Sequence, residues 1–184
     1  MADINITVAP DRVTAHEPET KGRSSDDPPT WDLIELLFFA YRDFVSDPDG
    51  VLENLGFGRA HHRVLHFVNR NPGMKVAELL HILKITKQSL GRVLKQLIDE
   101  GYVVQEEGAK DRRQRLLFAT AKGEQLALQL ASLQTSRIMR ALGALGPNAH
   151  REARDFLLAM IDVSDRERVL RFVDRAERPR RSRA

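Results

Sequence analysis

The sequence predicts a mainly α-helical fold that carries a small β element of two or three strands. Apolar residues recur at helical spacing in successive segments between Trp31 and Val173. Two short runs with β character, Tyr102 to Gln105 and Arg115 to Ala119, flank a turn at Gly108. Strong punctuation at Pro28-Pro29, Asn71-Pro72-Gly73, Gly101 and Gly146-Pro147 divides the helical segments from one another.

Composition limits what such a fold can do. A chain of 184 residues with 42% hydrophobic content can build one folded unit of ordinary size with extensions. The absence of cysteine excludes disulfides, thiolate zinc sites and thiol-based redox sensing, and fits a reducing compartment. The Met1 end has no basic-then-apolar signal pattern, and no apolar run approaches the roughly 20 residues of a membrane helix. The expectation is a soluble, cytoplasmic protein without a membrane partner. Net charge is +3, but residues 1–29 carry six acidic against three basic side chains, so the rest of the chain is more basic than the total. An acidic leader on a basic body suits a polyanionic partner, and the position of the charges decides whether it has one.

Residues 1–29 are polar, hold Pro10, Pro18, Pro28 and Pro29, and show no sustained period, which predicts a disordered acidic leader. Thr30 is an N-cap candidate for a first helix whose Trp31, Ile34, Leu37, Phe38, Tyr41, Phe44 and Val45 form a wide aromatic face. Two accounts fit that face: an ordinary core helix, or burial against a second subunit. Asp47-Pro48-Asp49-Gly50 is a turn signal, Val51 to Leu55 suits one or two helical turns, and Arg59 to Asn69 is a helix with Val64, Leu65, Phe67 and Val68 inward. Met74 or Lys75 opens a short helix through Val76, Leu79, Leu80 and Leu83, followed almost at once by another capped by Thr86. In that second helix Leu90, Val93, Leu94, Leu97 and Ile98 face a core, while Lys87, Gln88, Ser89, Arg92, Lys95 and Gln96 face outward. After the β runs, Thr120 caps a long helix to about Leu145, a further helix carries Phe156, Leu157 and Met160, and Ser164-Asp165-Arg166-Glu167 has a capping-box pattern for a last segment. Arg178 to Arg183 forms a basic tail.

Two helices with so tight a link match a helix-turn-helix, and the following strand pair makes it winged. The first turns of its second helix would point into a major groove. Lys87, Gln88, Ser89 and Arg92 have suitable chemistry, since Gln pairs with adenine and Arg with guanine at two points, and Lys95 is placed for phosphate. Lys110, Arg112, Arg113 and Arg115 cluster at the hairpin tip, where a long cation can enter a narrow minor groove. Asp111 suits a charge-assisted bond that aims Arg113.

Rival chemistries are weaker. His62 and His66 have an i, i+4 spacing that could put two imidazoles on one metal, with His61 adjacent, but no third or fourth ligand stands nearby. Structural histidines are the expectation, with no metal and no cofactor. Gly56-Phe57-Gly58 imitates a dinucleotide fingerprint yet follows a helical stretch and lacks the third glycine. No catalytic motif supports an enzyme.

From GRAHHRVLHFV at 58–68, NPGMKVAELL at 71–80, ITKQSLGRVLKQLIDEGYV at 85–103, Asp111-Arg112-Arg113 and Thr120-Ala121-Lys122-Gly123, the chain resembles the MarR family of bacterial winged-helix regulators over residues 30 to about 163. ELLFFAYRDF through GFGRAHHRVLHFV is also similar to the PetP-type subgroup. The resemblance implies a homodimer joined through the first and last helices, double-stranded DNA as partner, a pseudo-palindromic operator and Arg113 as the minor-groove residue. It places any small-molecule effector between the dimerisation helices and the DNA-reading unit, without naming one. The expected organisation is a leader at 1–29, an N-terminal dimerisation helix and linker at 30–57, a winged helix-turn-helix at 58–120, C-terminal dimerisation helices at 121–176 and a basic tail at 177–184. The alternative is a winged-helix module for protein interaction or nonspecific DNA binding.

Overall fold

A computed structural model of the chain describes residues 28–108 and 114–177. The leader and the arginine-rich tail expected from the sequence lie outside the described residues, save Pro28, Pro29 and Glu177, the last of which ends a helix. In chain order the elements are α1 (Trp31–Ser46), α2 (Asp49–Glu53), α3 (Arg59–Arg70), β1 (Met74–Lys75), α4 (Val76–Leu83), α5 (Lys87–Asp99), β2 (Val103–Glu107), β3 (Arg115–Ala119), α6 (Ala121–Gly143), α7 (Ala149–Ala159) and α8 (Val163–Glu177). The mainly helical class with a small three-stranded β element is the one the sequence predicts.

The core is formed where the apolar sides of α3, α4 and α5 meet the inner face of the sheet. Val64, Leu65 and Val68 of α3, Leu79 of α4, Leu90 and Leu97 of α5, Val103 and Leu117 are all essentially sealed from solvent. Burying one such side chain is worth about 1.5–3 kcal/mol, so this cluster holds the helix-turn-helix rigid. The sheet has order β1-β3-β2 and is antiparallel throughout, with Val103 opposite Ala119, Glu107 opposite Arg115 and Met74 opposite Leu117.

Several sequence expectations change in detail. Met74 and Lys75 do not open a helix: they pair with β3 as a strand, and α4 begins at Val76. The first strand of the hairpin runs from Val103 to Glu107, because Tyr102 is spent on the turn, where its N–H bonds to Leu97 O at 2.8 Å. Gly101 makes that turn with φ of +76°, a left-handed conformation that costs glycine little. Asp49 and Gly50 already belong to α2, so the turn after α1 is confined to Asp47 and Pro48. The expected capping box at Ser164 is absent. The amides of Asp165 and Arg166 bond to Asp162 O, which puts Ser164 inside the first turn.

None of the residues of α1 is buried, which rules out the ordinary core helix within one chain. Trp31, Leu36, Phe38, Phe39 and Tyr41 are all more than half exposed. Polar contacts anchor the far end of the helix instead. Arg137 of α6 donates two hydrogen bonds to the Asp47 carboxylate at 2.5 and 2.7 Å, and Gln134 reaches Phe44 O at 3.4 Å. The Arg137 hydrogen bonds hold the Asp47 carboxyl below its ordinary pKa, against the opposing effect of desolvation. Ile138 and Met139 of α6, Phe156 and Leu157 of α7 and Met160 just after it are exposed apolar side chains as well. No helix among the described residues is long and apolar enough to cross a membrane.

Candidate nucleic-acid interface

The helix-turn-helix is built from α4 and α5. Glu78 closes the start of α4 by accepting the Lys75 N–H at 2.8 Å, and Lys84 ends it in the left-handed region at φ of 50°. Only Ile85 then separates Lys84 from Thr86. The Thr86 hydroxyl oxygen accepts the Ser89 N–H at 3.1 Å, so Thr86 is the N-cap that the sequence predicts. The Thr86 hydroxyl also donates to Ser89 Oγ at 2.9 Å, which fixes the Ser89 side chain at the helix tip.

Leu90, Val93, Leu94 and Leu97 anchor one side of α5 in the core. Lys87, Gln88, Ser89, Arg92 and Lys95 stand exposed on the other. Lys87, Gln88 and Arg92 have no side-chain partner among the described residues, so their donors remain available. Lys95 differs, being paired with Asp99 one turn away at 2.5 Å. Gln96 departs from the expected outward face. Its Oε1 meets His61 Nε2 at 2.8 Å and its Nε2 reaches Glu100 at 3.0 Å, which makes it a strut between α3 and α5.

The histidines that suggested a metal site have other duties. His61 stacks on Phe57 at 4.8 Å and its Nδ1 accepts the Gly58 N–H at 3.1 Å, so both of its ring nitrogens are engaged. Burial, with the neighbouring charges of His66 and Arg63, pushes His62 down to about 4 despite Asp49. Among the described residues no group of three or more metal-ligating side chains converges.

On the wing, β2 and β3 close on each other where the Gly108 N–H bonds to Gln114 O at 3.0 Å. Arg115 sits at the base, bonded to Glu107 directly across the strand pair at 2.9 Å. That pair offsets part of the charge Arg115 could offer a phosphate. Lys110, Asp111, Arg112 and Arg113 lie outside the described residues.

The junction between wing and α6 joins the end of α5 to the start of α6. The Thr120 hydroxyl donates to Gly101 O at 2.7 Å and accepts the Gly123 N–H at 3.0 Å. Lys122 Nζ donates to Glu100 O at 2.9 Å and lies 4.0 Å from the centre of the Tyr102 ring. A Cβ on Gly123 would meet Tyr102 O at 2.0 Å, so only glycine lets the two backbones approach this closely. Thr120-Ala121-Lys122-Gly123 thus clamps the start of α6 to the end of α5. The glycine after a capping threonine was the available signal.

A paired helix of this geometry beside an antiparallel hairpin defines a winged helix-turn-helix protein. The family model described as MarR family matches residues 55–114. The HTH-type transcriptional regulator PetP of Rhodobacter capsulatus is 47% identical over 133 residues, 72% of this chain and 80% of that protein. Among solved structures, the transcriptional regulator SlyA superposes with a TM-score of 0.60 at 20% identity, over 78% of this chain and 96% of that one. A MarR mutant from E. coli complexed with operator DNA gives a TM-score of 0.56 at 19% identity, over 71% of this chain and 94% of that one. The chain belongs to the MarR family. It is a DNA-binding transcriptional regulator and not an enzyme.

Proposed function

We propose that the chain acts in the cytoplasm as a homodimer whose two α5 helices enter successive major grooves of a pseudo-palindromic operator, about 10 base pairs apart. The observation that carries this reading is the set of Lys87, Gln88 and Arg92, without side-chain partners among the described residues, at the start of a helix fixed by four buried residues. Gln88, Ser89 and Arg92 address bases, while Lys87 and Lys95 address phosphates. On the wing, Lys110, Arg112 and Arg115 add backbone charge, and Asp111 aims Arg113 into the adjoining minor groove. The exposed apolar face of α1, α7 and the distal half of α6 is the dimer interface, since a patch of this extent is rarely left in water. The solved MarR mutant bound to operator DNA supports the mode of binding. An effector, where one acts, would sit between the dimer helices and the DNA-reading unit and alter the spacing of the two α5 helices.

Fluorescence anisotropy on the DNA upstream of the chain's own reading frame tests the proposal, with scrambled DNA as competitor and salt varied. Arg92→Ala should relax base preference by about 1–3 kcal/mol at one position, whereas Lys95→Ala should weaken all sequences alike and lower the salt slope by about 1. Arg113→Ala should weaken operator binding strongly while leaving the thermal melt unchanged. Equal affinity of the native chain for operator and scrambled DNA would leave only nonspecific binding.

A further inference from the structure

The turn between α4 and α5 holds a lysine where glycine would be the easier residue. Among the described residues Lys84 alone of the non-glycines has a left-handed backbone, at φ of 50°, while Gly56, Gly73, Gly101 and Gly146 fill the other positive-φ positions. A Cβ is disfavoured there, and glycine could end α4 with the same bond from its N–H to Leu80 O, which is 3.0 Å long. A backbone conformation kept at a cost in stability points to a side chain with a function.

The contact that Lys84 makes within the chain does not account for it. Its Nζ lies 3.7 Å from Asp165 Oδ2 of α8, and the lysine side chain is 72% exposed. An ion pair so long and so open to water contributes little to stability. Nor does α8 depend on it, because Phe172 packs 5.7 Å from the Phe67 ring of α3. Position supplies a stronger partner. Lys84 stands two residues before the Thr86 cap of α5 and three before Lys87. A helix with its side chains is about 10–12 Å across and fills a major groove about 12 Å wide, so a residue just outside its N-terminus lies over the rim, where the phosphates are. An ammonium on a flexible stem suits a phosphate rather than a base edge.

We propose, resting on the reading of α5 as the helix that enters the major groove, that Lys84 is a further phosphate contact, its ammonium leaving Asp165 of α8 for the DNA backbone. The exchange strands no charge. Arg168 Nη2 donates to Asp165 Oδ1 at 2.6 Å and keeps the carboxylate paired after Lys84 has gone.

The full-length protein is titrated by fluorescence anisotropy against the DNA upstream of its reading frame and against scrambled DNA, with salt varied. Lys84→Gly should melt at or above the native temperature, yet bind both DNAs roughly two- to tenfold more weakly for each Lys84 engaged, with the salt slope lower by about 1 for each. Lys84→Arg should keep the native affinity. Asp165→Asn should tighten binding to both DNAs, and should change nothing when combined with Lys84→Gly. Native affinity and slope in Lys84→Gly would overturn the proposal, and so would a melt well below the native one, which would make Lys84 a structural prop. An Asp165→Asn gain that persists beside Lys84→Gly would overturn the exchange, since net charge alone would explain it. A native chain that binds neither DNA would overturn the reading of α5 as well.

Discussion

If α1 closes a dimer, Phe38 should be among its most costly side chains to remove, because it is 69% exposed in the single chain. Phe presents roughly 200 Å² of surface, so about 140 Å² of this ring awaits burial. At about 25 cal/mol per Å² that burial is worth about 3.5 kcal/mol, an upper bound, of which Phe38→Ala removes roughly two thirds. A two-fold dimer repeats the loss, giving about 4–5 kcal/mol and a dissociation constant raised roughly a thousandfold. Alanine is a better helix former than phenylalanine, so the effect cannot arise from fraying of α1. Sedimentation equilibrium over a dilution series measures it. Val104→Ala on β2, another exposed apolar residue remote from α1, serves as control and should leave the constant unchanged. A Phe38→Ala constant within about threefold of the native one would place Phe38 outside any interface and refute the reasoning.

Gly123→Ala should destabilise the chain by about 1–3 kcal/mol or more, since the new Cβ meets a backbone carbonyl rather than a yielding side chain; calorimetry should show a melting temperature lower by several degrees. Thr86→Ala removes the cap of α5 and should cost about 1 kcal/mol in urea unfolding. His62 is held at about 4 in the folded chain against an ordinary value of 6.5. As pH falls the unfolded chain takes up that proton first, so stability complete above pH 6.5 is lost towards pH 4, by about 2 kcal/mol at pH 5. Urea melts of His62→Gln should lack this part of the decline, and an identical pH dependence would acquit His62.

What was legible in the sequence divides along a physical line. Periodicity located α1, α3, α4, α5 and α6 because an apolar stripe states that a face will be buried. It does not state by what. The stripes of α3 and α5 close on each other within one chain, whereas that of α1 has the same spacing and remains bare. β1 escaped because two residues carry no period, and Met74 and Lys75 become a strand only through Leu117 and Leu116, some forty residues away. Ser164 misled because a capping pattern is local, while the helix start was set by Asp162 O two residues earlier. On α5 the residue types alone could not separate Gln88 from Gln96. His61, 35 residues distant, draws Gln96 inward and leaves Gln88 free.

The junction between the wing and α6 determines how the proposed dimer would control DNA reading. Three side-chain hydrogen bonds and one glycine contact tie the start of α6 to Glu100, Gly101 and Tyr102, directly after α5. α6 is also linked to the end of α1 through Arg137 and Asp47. With both ends fastened, a shift of α1 against its partner cannot be absorbed by a slack hinge between α6 and α5. It must appear as a displacement of the recognition helix, so the spacing of two bound grooves would be set by packing more than 30 residues away from any base contact. The tightness of Gly123 against Tyr102 is what makes that transmission rigid.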